Sequence, residues 1–321
     1  MILLPQRSFG RAEAPFQRKV MMMADSNSKS SSWLVVAAFL LPSFLGFFLF
    51  VLVPMMATVG LAFTDYSGGF TYQWIGLKNF VRAFTSTSFI NALTNTVNFT
   101  VVSVVAQIVL GFCFAVLLNK KIVARNFFRA VIFLPVVLSM VAISLVFMVI
   151  LHPDKGPING FLTSLGMTPI PWLTSPKTAL LTIILVTIWQ SFGYYMILFL
   201  SGLQAINLEL YEAADIDGAS KWRQLWNITI PMLSPTTFFC VIMAIINSFK
   251  VFDPIFVMTG GQLGGGPGDS TTVLVFDIYK NAFSYYKMGY ASAEAVILLL
   301  IVLVVTIIQY RGQKKWVTYD L

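Results

Sequence analysis

Two apolar runs carry the side chains best suited to recognise a solute. Trp189, Gln190, Ser191, Tyr194 and Tyr195 lie in one, and Asn247, Ser248, Lys250 and Asp253 in the other. They interrupt stretches otherwise built from Leu, Ile, Val and Phe. Aromatic rings stack on the faces of sugar rings, while amides and hydroxyls match sugar hydroxyls in number and reach. The same side chains could instead pack, or hydrogen-bond from helix to helix. Lys250 and Asp253 are three residues apart and could pair with each other. A free Lys250 would suit a phosphate-bearing solute.

Catalytic chemistry finds no foothold. The glycine-rich stretch Gly260–Gly268 lacks a following Lys-Ser/Thr pair, so it is no phosphate cradle, and neither HExxH nor GxSxG occurs. There is one histidine, His152, and the two cysteines, Cys113 and Cys240, fall inside apolar runs, which excludes a zinc or disulfide framework. The expectation is therefore no catalytic residue, no metal ligand, no cofactor held by this chain, and no enzyme activity of its own.

The elements that must position these side chains are membrane helices. Of 321 residues, 57% are hydrophobic and only 11% charged, whereas soluble domains carry about a quarter charged residues. In lipid every backbone polar group must be satisfied within the protein, and the apolar runs are far too long for barrel strands. The net charge of +8 suits a membrane protein with basic anchors, and nucleic acid is not an expected partner. Six spans are expected, all-α, at residues 33–64, 93–118, 130–151, 178–205, 232–258 and 288–310. Residues 1–32 form a polar, basic tail expected to be flexible. The run behind it is too long for a signal peptide. Asn91, Asn95 and Asn98 precede the second span at helical spacing and suit interhelical hydrogen bonds. With both termini inside, fourteen Lys and Arg fall on the inner side. Six fall outside: Lys78, Arg82, Lys155, Lys177, Lys280 and Lys287. That bias orients the chain with both termini in the cytoplasm. The Gly/Pro-rich loop 152–177, with Asn159, Trp172 and Leu173, suits contact with a partner. Glu294, inside the last span, needs a partner or water.

One polar island breaks the apolar second half, running from Glu212 to Pro235. Asn207 suits an N-cap, helix formers follow over 208–216, and Gly218 can end that helix and begin another. Pro231 and Pro235 open the next apolar run, where a missing N–H is least costly. The residues alone predict two short helices with a glycine bend lying across the membrane surface.

The island resembles the EAA loop of ABC-importer permeases. Glu212-Ala213-Ala214, Gly218, Ile228 and Ile230-Pro231 stand at that pattern's positions. Asp217-Gly218-Ala219 and Pro231-Met232-Leu233-Ser234-Pro235 are similar to its carbohydrate-uptake branch, the maltose and glycerol-phosphate permease-like family. Phe252-Asp253-Pro254, Met258-Thr259-Gly260-Gly261, Gly265-Gly266-Pro267 and Ser270-Thr271 resemble the family's FD…TGGGP…ST signature, with an interruption around Gln262-Leu263. Phe63-Thr64-Asp65-Tyr66, Phe133-Leu134-Pro135 and Gly289-Tyr290-Ala291-Ser292-Ala293 extend the likeness over residues 33–313.

The resemblance implies six transmembrane helices of the ABC type I importer permease fold. It implies a permease domain at 33–313, a cytoplasmic coupling-helix loop at 207–231, and tails at 1–32 and 314–321. Glu212, Ala213, Ala214, Asp217, Gly218 and Pro231 would couple the chain to an ATPase. Ser191, Tyr194 and Ser248 would lie nearest a central solute site, with Tyr195, Asn247 and Lys250 also on the substrate pathway. The implied partners are a sister permease forming a heterodimer and two copies of a cytoplasmic ABC ATPase that binds the ATP and Mg. An extracytoplasmic solute-binding protein and the lipid bilayer complete the set. The implied place is the bacterial cytoplasmic (inner) membrane, multi-pass. The implied function is half of the translocation pathway of an ATP-driven, binding-protein-dependent importer of a mono- or oligosaccharide or polyol. Glycerol-3-phosphate or a related phosphorylated polyol is the alternative. The lesser alternative, an ion-coupled secondary transporter, would need no such loop and would often show inverted halves with broken helices, and neither is expected here.

Overall fold

The computed structural model describes residues 33, 35–120, 122–261, 264–314 and 316–317. The expected flexible tail at 1–32 and the interruption at Gln262-Leu263 lie outside the described residues. The chain forms two units, Met1–Ala57 and Thr58–Leu321. Among the described residues β pairing is limited to an isolated bridge between Thr64 and Trp74; the rest of the regular structure is helical.

Helix α1 (Val35–Leu61) is long and apolar enough to cross a membrane. Its turn Phe48–Leu52 widens to i→i+5 bonding just before Pro54, where proline offers no N–H to the preceding turn. The short helix α2 (Lys78–Thr85) is tied back by Asn79, whose amide nitrogen donates to the carbonyls of Ala62 at 3.0 Å and Thr64 at 2.8 Å. Helix α3 (Thr87–Asn119) is the longest, and Arg129 Nη2 donates to the Leu118 carbonyl at its C-terminal end (3.1 Å). A basic side chain there satisfies an orphan acceptor and opposes the helix dipole.

The third expected span is not one helix. Helices α4 (Arg125–Val137) and α5 (Met140–Ile150) meet at 96°. Pro135 removes a hydrogen bond near the end of α4, and Leu138 and Ser139 adopt extended backbone between the two. Helix α6 (Pro157–Ser164) and the unbroken α7 (Ala179–Ala205) follow. Next come α8 (Leu208–Ile216) and α9 (Lys221–Met232), and α9 meets α10 (Ser234–Phe249) at 63°. Pro235 cannot donate back to Pro231, and Ser234 Oγ recovers that carbonyl by donating to it at 2.6 Å. The fifth expected span therefore also bends. It stops at Phe249, and α11 (Asp253–Met258) is a separate short helix. Helix α12 (Leu274–Tyr279) and the spanning α13 (Met288–Gln313) complete the chain. The described residues hold four straight membrane-length helices, or six spans if each bent pair counts as one.

The core is the seam between α3 and α7, the most extensive helix pair. A Cβ at Gly111 would meet Tyr195 Cβ at 2.8 Å and the Met196 nitrogen at 3.1 Å; one at Gly202 would meet Thr236 Oγ1 at 2.6 Å. Small residues that let helices touch are the expected device where lipid removes the hydrophobic drive to pack. Large apolar side chains such as Val149, Leu134 and Ile308 remain exposed, as a lipid-facing surface requires.

Glu294 has its partner. It is fully buried, and Asn281 Nδ2 donates to both carboxylate oxygens, at 3.2 and 3.0 Å. Beside it Ser88 Oγ donates to Asp277 Oδ1 at 3.1 Å, and burial pushes the Asp277 carboxyl above its usual range. This knot ties α12 to α3, and the turn after α12 to α13. Of the three asparagines in the first turns of α3, Asn95 bridges to the loop before α12 and not from helix to helix, donating to the carbonyls of Thr272 (2.9 Å) and Asp269 (3.3 Å). In loop 152–177, Asn159 is buried. It accepts from Trp172 Nε1 at 2.9 Å and donates to the Pro153 and Ile170 carbonyls. These two residues stabilise their own loop.

Candidate functional site

Five of the six residues expected on the substrate pathway line one cavity of about 300 Å³. Helix α7 contributes Thr187, Gln190, Ser191, Tyr194 and Tyr195. Their spacing (i, i+3, i+4, i+7, i+8) places them on one face of a 3.6-residue helix. Asn247 and Ser248 come from α10, Phe99 and Gln107 from α3, and Val136 from α4 beside its break. Tyr194 is half-buried, with its ring edge-on to that of the buried Tyr195 at 5.4 Å. Ser248 is buried, and its hydroxyl meets Ser103 Oγ at 3.2 Å. Ser191 Oγ donates to Gln190 Oε1 at 2.7 Å. The lining offers rings, amides and hydroxyls, and no charged side chain.

Lys250 is the exception. It caps the end of α10 exposed to solvent and does not line this cavity. Nor does it pair with Asp253 among the described residues. The helix stops at Phe249 and Phe252 leaves helical geometry (φ −141°), so three-residue spacing no longer stacks the two side chains. Trp189 also turns away, exposed and edge-on to Phe147 at 5.4 Å; consecutive residues on a helix point about 100° apart. Sequence reasoning missed Phe99, Gln107, Val136, Thr187 and Val251. Thr187 had a signal in the α7 stripe. Gln107 had a weaker one, being the only amide in residues 99–118 of α3.

The second cluster is the helix pair α8 and α9. Asn207 caps α8, its Oδ1 accepting from the Glu209 nitrogen at 3.0 Å. Gly218 bends the chain with φ +72°, a conformation that costs a non-glycine residue about 1–2 kcal/mol. Ser220 then caps α9. Asp215 holds the two helices together: it pairs with Lys221 Nζ at 2.8 Å and accepts from Gln224 Nε2 at 2.5 Å. The Lys221 ammonium, with Gln224, keeps the Asp215 carboxyl below its usual range. Tyr211 and Thr229 join the pair further along, hydroxyl to hydroxyl at 2.9 Å. Glu212, Ala213, Asp217 and Gly218 are exposed; Ala214 and Pro231 are half-buried, with Pro231 inside α9. Ile216, Leu208 and Trp222 are 87%, 72% and 72% exposed on the same pair.

A family profile matches residues 107–317, described as binding-protein-dependent transport system inner membrane component. That region contains the whole coupling pair and all but Phe99 of the cavity lining. The chain belongs to this family. The permease is 40% identical over 278 residues to the probable ABC transporter permease protein YurN of Bacillus subtilis, with 85% of this chain and 94% of that protein covered. It is 33% identical to the probable starch degradation products transport system permease protein AmyD of Thermoanaerobacterium thermosulfurigenes, over 87% of this chain and 97% of that protein. Its fold matches a chain of a bacterial alginate ABC transporter, solved in complex with an alginate pentasaccharide-bound periplasmic protein. The TM-score is 0.80 at 24% identity, with 92% and 99% of the two chains covered. The permease is thus a non-catalytic, membrane-embedded ABC importer subunit with the type I importer fold. Its broken helices α4/α5 and α9/α10 show that helix breaks alone do not distinguish it from a secondary transporter.

Proposed function

We propose that this permease forms half of the translocation pathway of an ATP-driven saccharide importer, with the α3–α7–α10 cavity as its share of the solute site. The carrying observation is that cavity. Its uncharged lining of two tyrosines, three amides and several hydroxyls suits a polyhydroxylated solute. The name of the AmyD protein, a permease for starch degradation products, agrees with it. With Lys250 outside the cavity, nothing favours a phosphorylated polyol. The test is uptake of maltose, trehalose, lactose and cellobiose, beside glycerol-3-phosphate, by the full complex with its binding protein in proteoliposomes. Uptake of a disaccharide is expected. Transport of glycerol-3-phosphate alone overturns the reading.

The proposed assembly has one sister permease, two ATPase chains that hold ATP and Mg, and one extracytoplasmic binding protein. One chain supplies one coupling pair, while an ATPase dimer offers two clefts. Glu212, Ala213, Ala214, Asp217 and Gly218 would present that pair, with Pro231 holding its far end. The exposed Ile216, Leu208 and Trp222 support docking, because apolar side chains clustered on a polar segment mark an interaction surface. Native mass spectrometry of the purified complex should find two different permeases. A transport-competent homodimer of this chain would refute the heteromeric part.

The proposed orientation puts both termini in the cytoplasm of a bacterial inner membrane, on the Lys and Arg bias. In a background with Cys113 and Cys240 replaced by serine, an impermeant thiol reagent added outside intact cells should label Lys155→Cys and spare Lys120→Cys. The reverse pattern would invert the topology.

A further inference from the structure

We infer that Gln107 on α3 is a specificity-determining solute contact, reading a hydroxyl pair of an uncharged saccharide through both ends of its amide. This rests on the central-site reading above. Gln107 is 4% exposed and faces the cavity, yet its amide makes no hydrogen bond among the described residues. Its amide atoms open onto the cavity and are not sealed in the core, so a solute that displaces water there must satisfy them.

The neighbouring groups show what Gln107 is free to do. It lies one turn after Ser103 and one turn before Gly111, on the buried face of α3. Ser103 is engaged with Ser248, and Gly111 admits Tyr195 against the helix. Gln190, the amide across the cavity on α7, already accepts from Ser191. The Gln107 amide keeps both its oxygen and its nitrogen available. One acceptor and one donor on adjacent atoms match two neighbouring sugar hydroxyls, one donating and one accepting. No cation lines the cavity, so an anionic group at this point would meet no compensating charge.

The experiment uses the complete complex in proteoliposomes, with the disaccharide that the wild type carries fastest from the panel above and a set of its monodeoxy analogues. Gln107→Ala should raise KM for uptake about tenfold, the value of one good hydrogen bond, with turnover at saturation within about twofold. The wild type should discriminate against at least one deoxy analogue by about tenfold, and Gln107→Ala should lose that discrimination. A merely structural role would not remove selectivity for one hydroxyl. Gln107→Glu keeps the shape but can only accept when ionised; it should raise KM at least as much, and it decides the matter if the alanine variant fails to assemble. Wild-type KM and wild-type analogue selectivity in the assembled variants overturn the inference. Tyr194→Ala, measured alongside, separates the two levels. If it raises KM while the Gln107 variants do not, the central site stands and Gln107 is no contact. If none of them changes KM, both readings fall.

Discussion

Gly218→Asp should abolish solute uptake while the permease still inserts in the membrane. Backbone strain contributes at φ +72°, but aspartate tolerates the left-handed region better than most residues. Strain of about 1 kcal/mol would not abolish transport alone. Nor is there an internal clash, since a Cβ at Gly218 meets nothing within 4 Å. The predicted loss comes from a new carboxylate on the exposed tip of the coupling pair, beside Asp217, where a tight bend would enter the ATPase. ATP hydrolysis should fall to the level of free ATPase, or persist without responding to the loaded binding protein. Gly218→Ala isolates the strain and should be mild. Glu212→Ala should also weaken coupling, less than Gly218→Asp does. Glu212 is exposed and makes no side-chain bond among the described residues, and losing a charged contact at an interface costs about 2–5 kcal/mol. The assay pairs solute-stimulated ATPase with uptake in the same vesicles. Wild-type stimulation and uptake in Gly218→Asp would show that this pair is not the coupling element.

Tyr194→Ala should cut uptake at limiting solute by about ten- to a hundredfold. Losing a ring stack and a hydroxyl contact removes about 1–3 kcal/mol, and each 1.4 kcal/mol is a factor of ten. Assembly and basal ATPase should hold, because Tyr194 is half-buried on the wall of an existing cavity and its removal enlarges that space without opening a new one in the core. Tyr195 offers the contrast. It is 2% exposed and packed against Gly111 at the α3–α7 seam, so Tyr195→Ala should impair assembly itself. Quantifying assembled complex by size-exclusion chromatography separates the two. Unchanged uptake in assembled Tyr194→Ala would remove Tyr194 from the solute path.

The helices of the coupling pair were legible because their signals are local. Asn207 and Gly218 act through bonds and dihedral angles within a few residues, and they stand where a cap and a bend are needed; the Ser220 cap was equally local but not read. The α7 face was legible in part, since Gln190, Ser191, Tyr194 and Tyr195 share a helical stripe. Trp189 was misplaced because the same stripe, read carefully, excludes it. The breaks were harder. Pro135 and Pro235 mark where a helix is weak, but not whether its neighbours let it turn by 96° or 63°.

The sequence by itself determined the class of molecule: membrane helices, their number to within the two bent pairs, and the polar pair near 207–232. Those follow from composition, run length and capping. Only the tertiary structure decided the cavity's composition. It brought Gln107 and Phe99 of α3 to the wall, ended α10 before Lys250, and set Asp215 between Lys221 and Gln224. A helix that is apolar nearly all round carries little periodic signal of which face is buried. Its phase is settled by packing, here by Gly111, which brings α3 against α7.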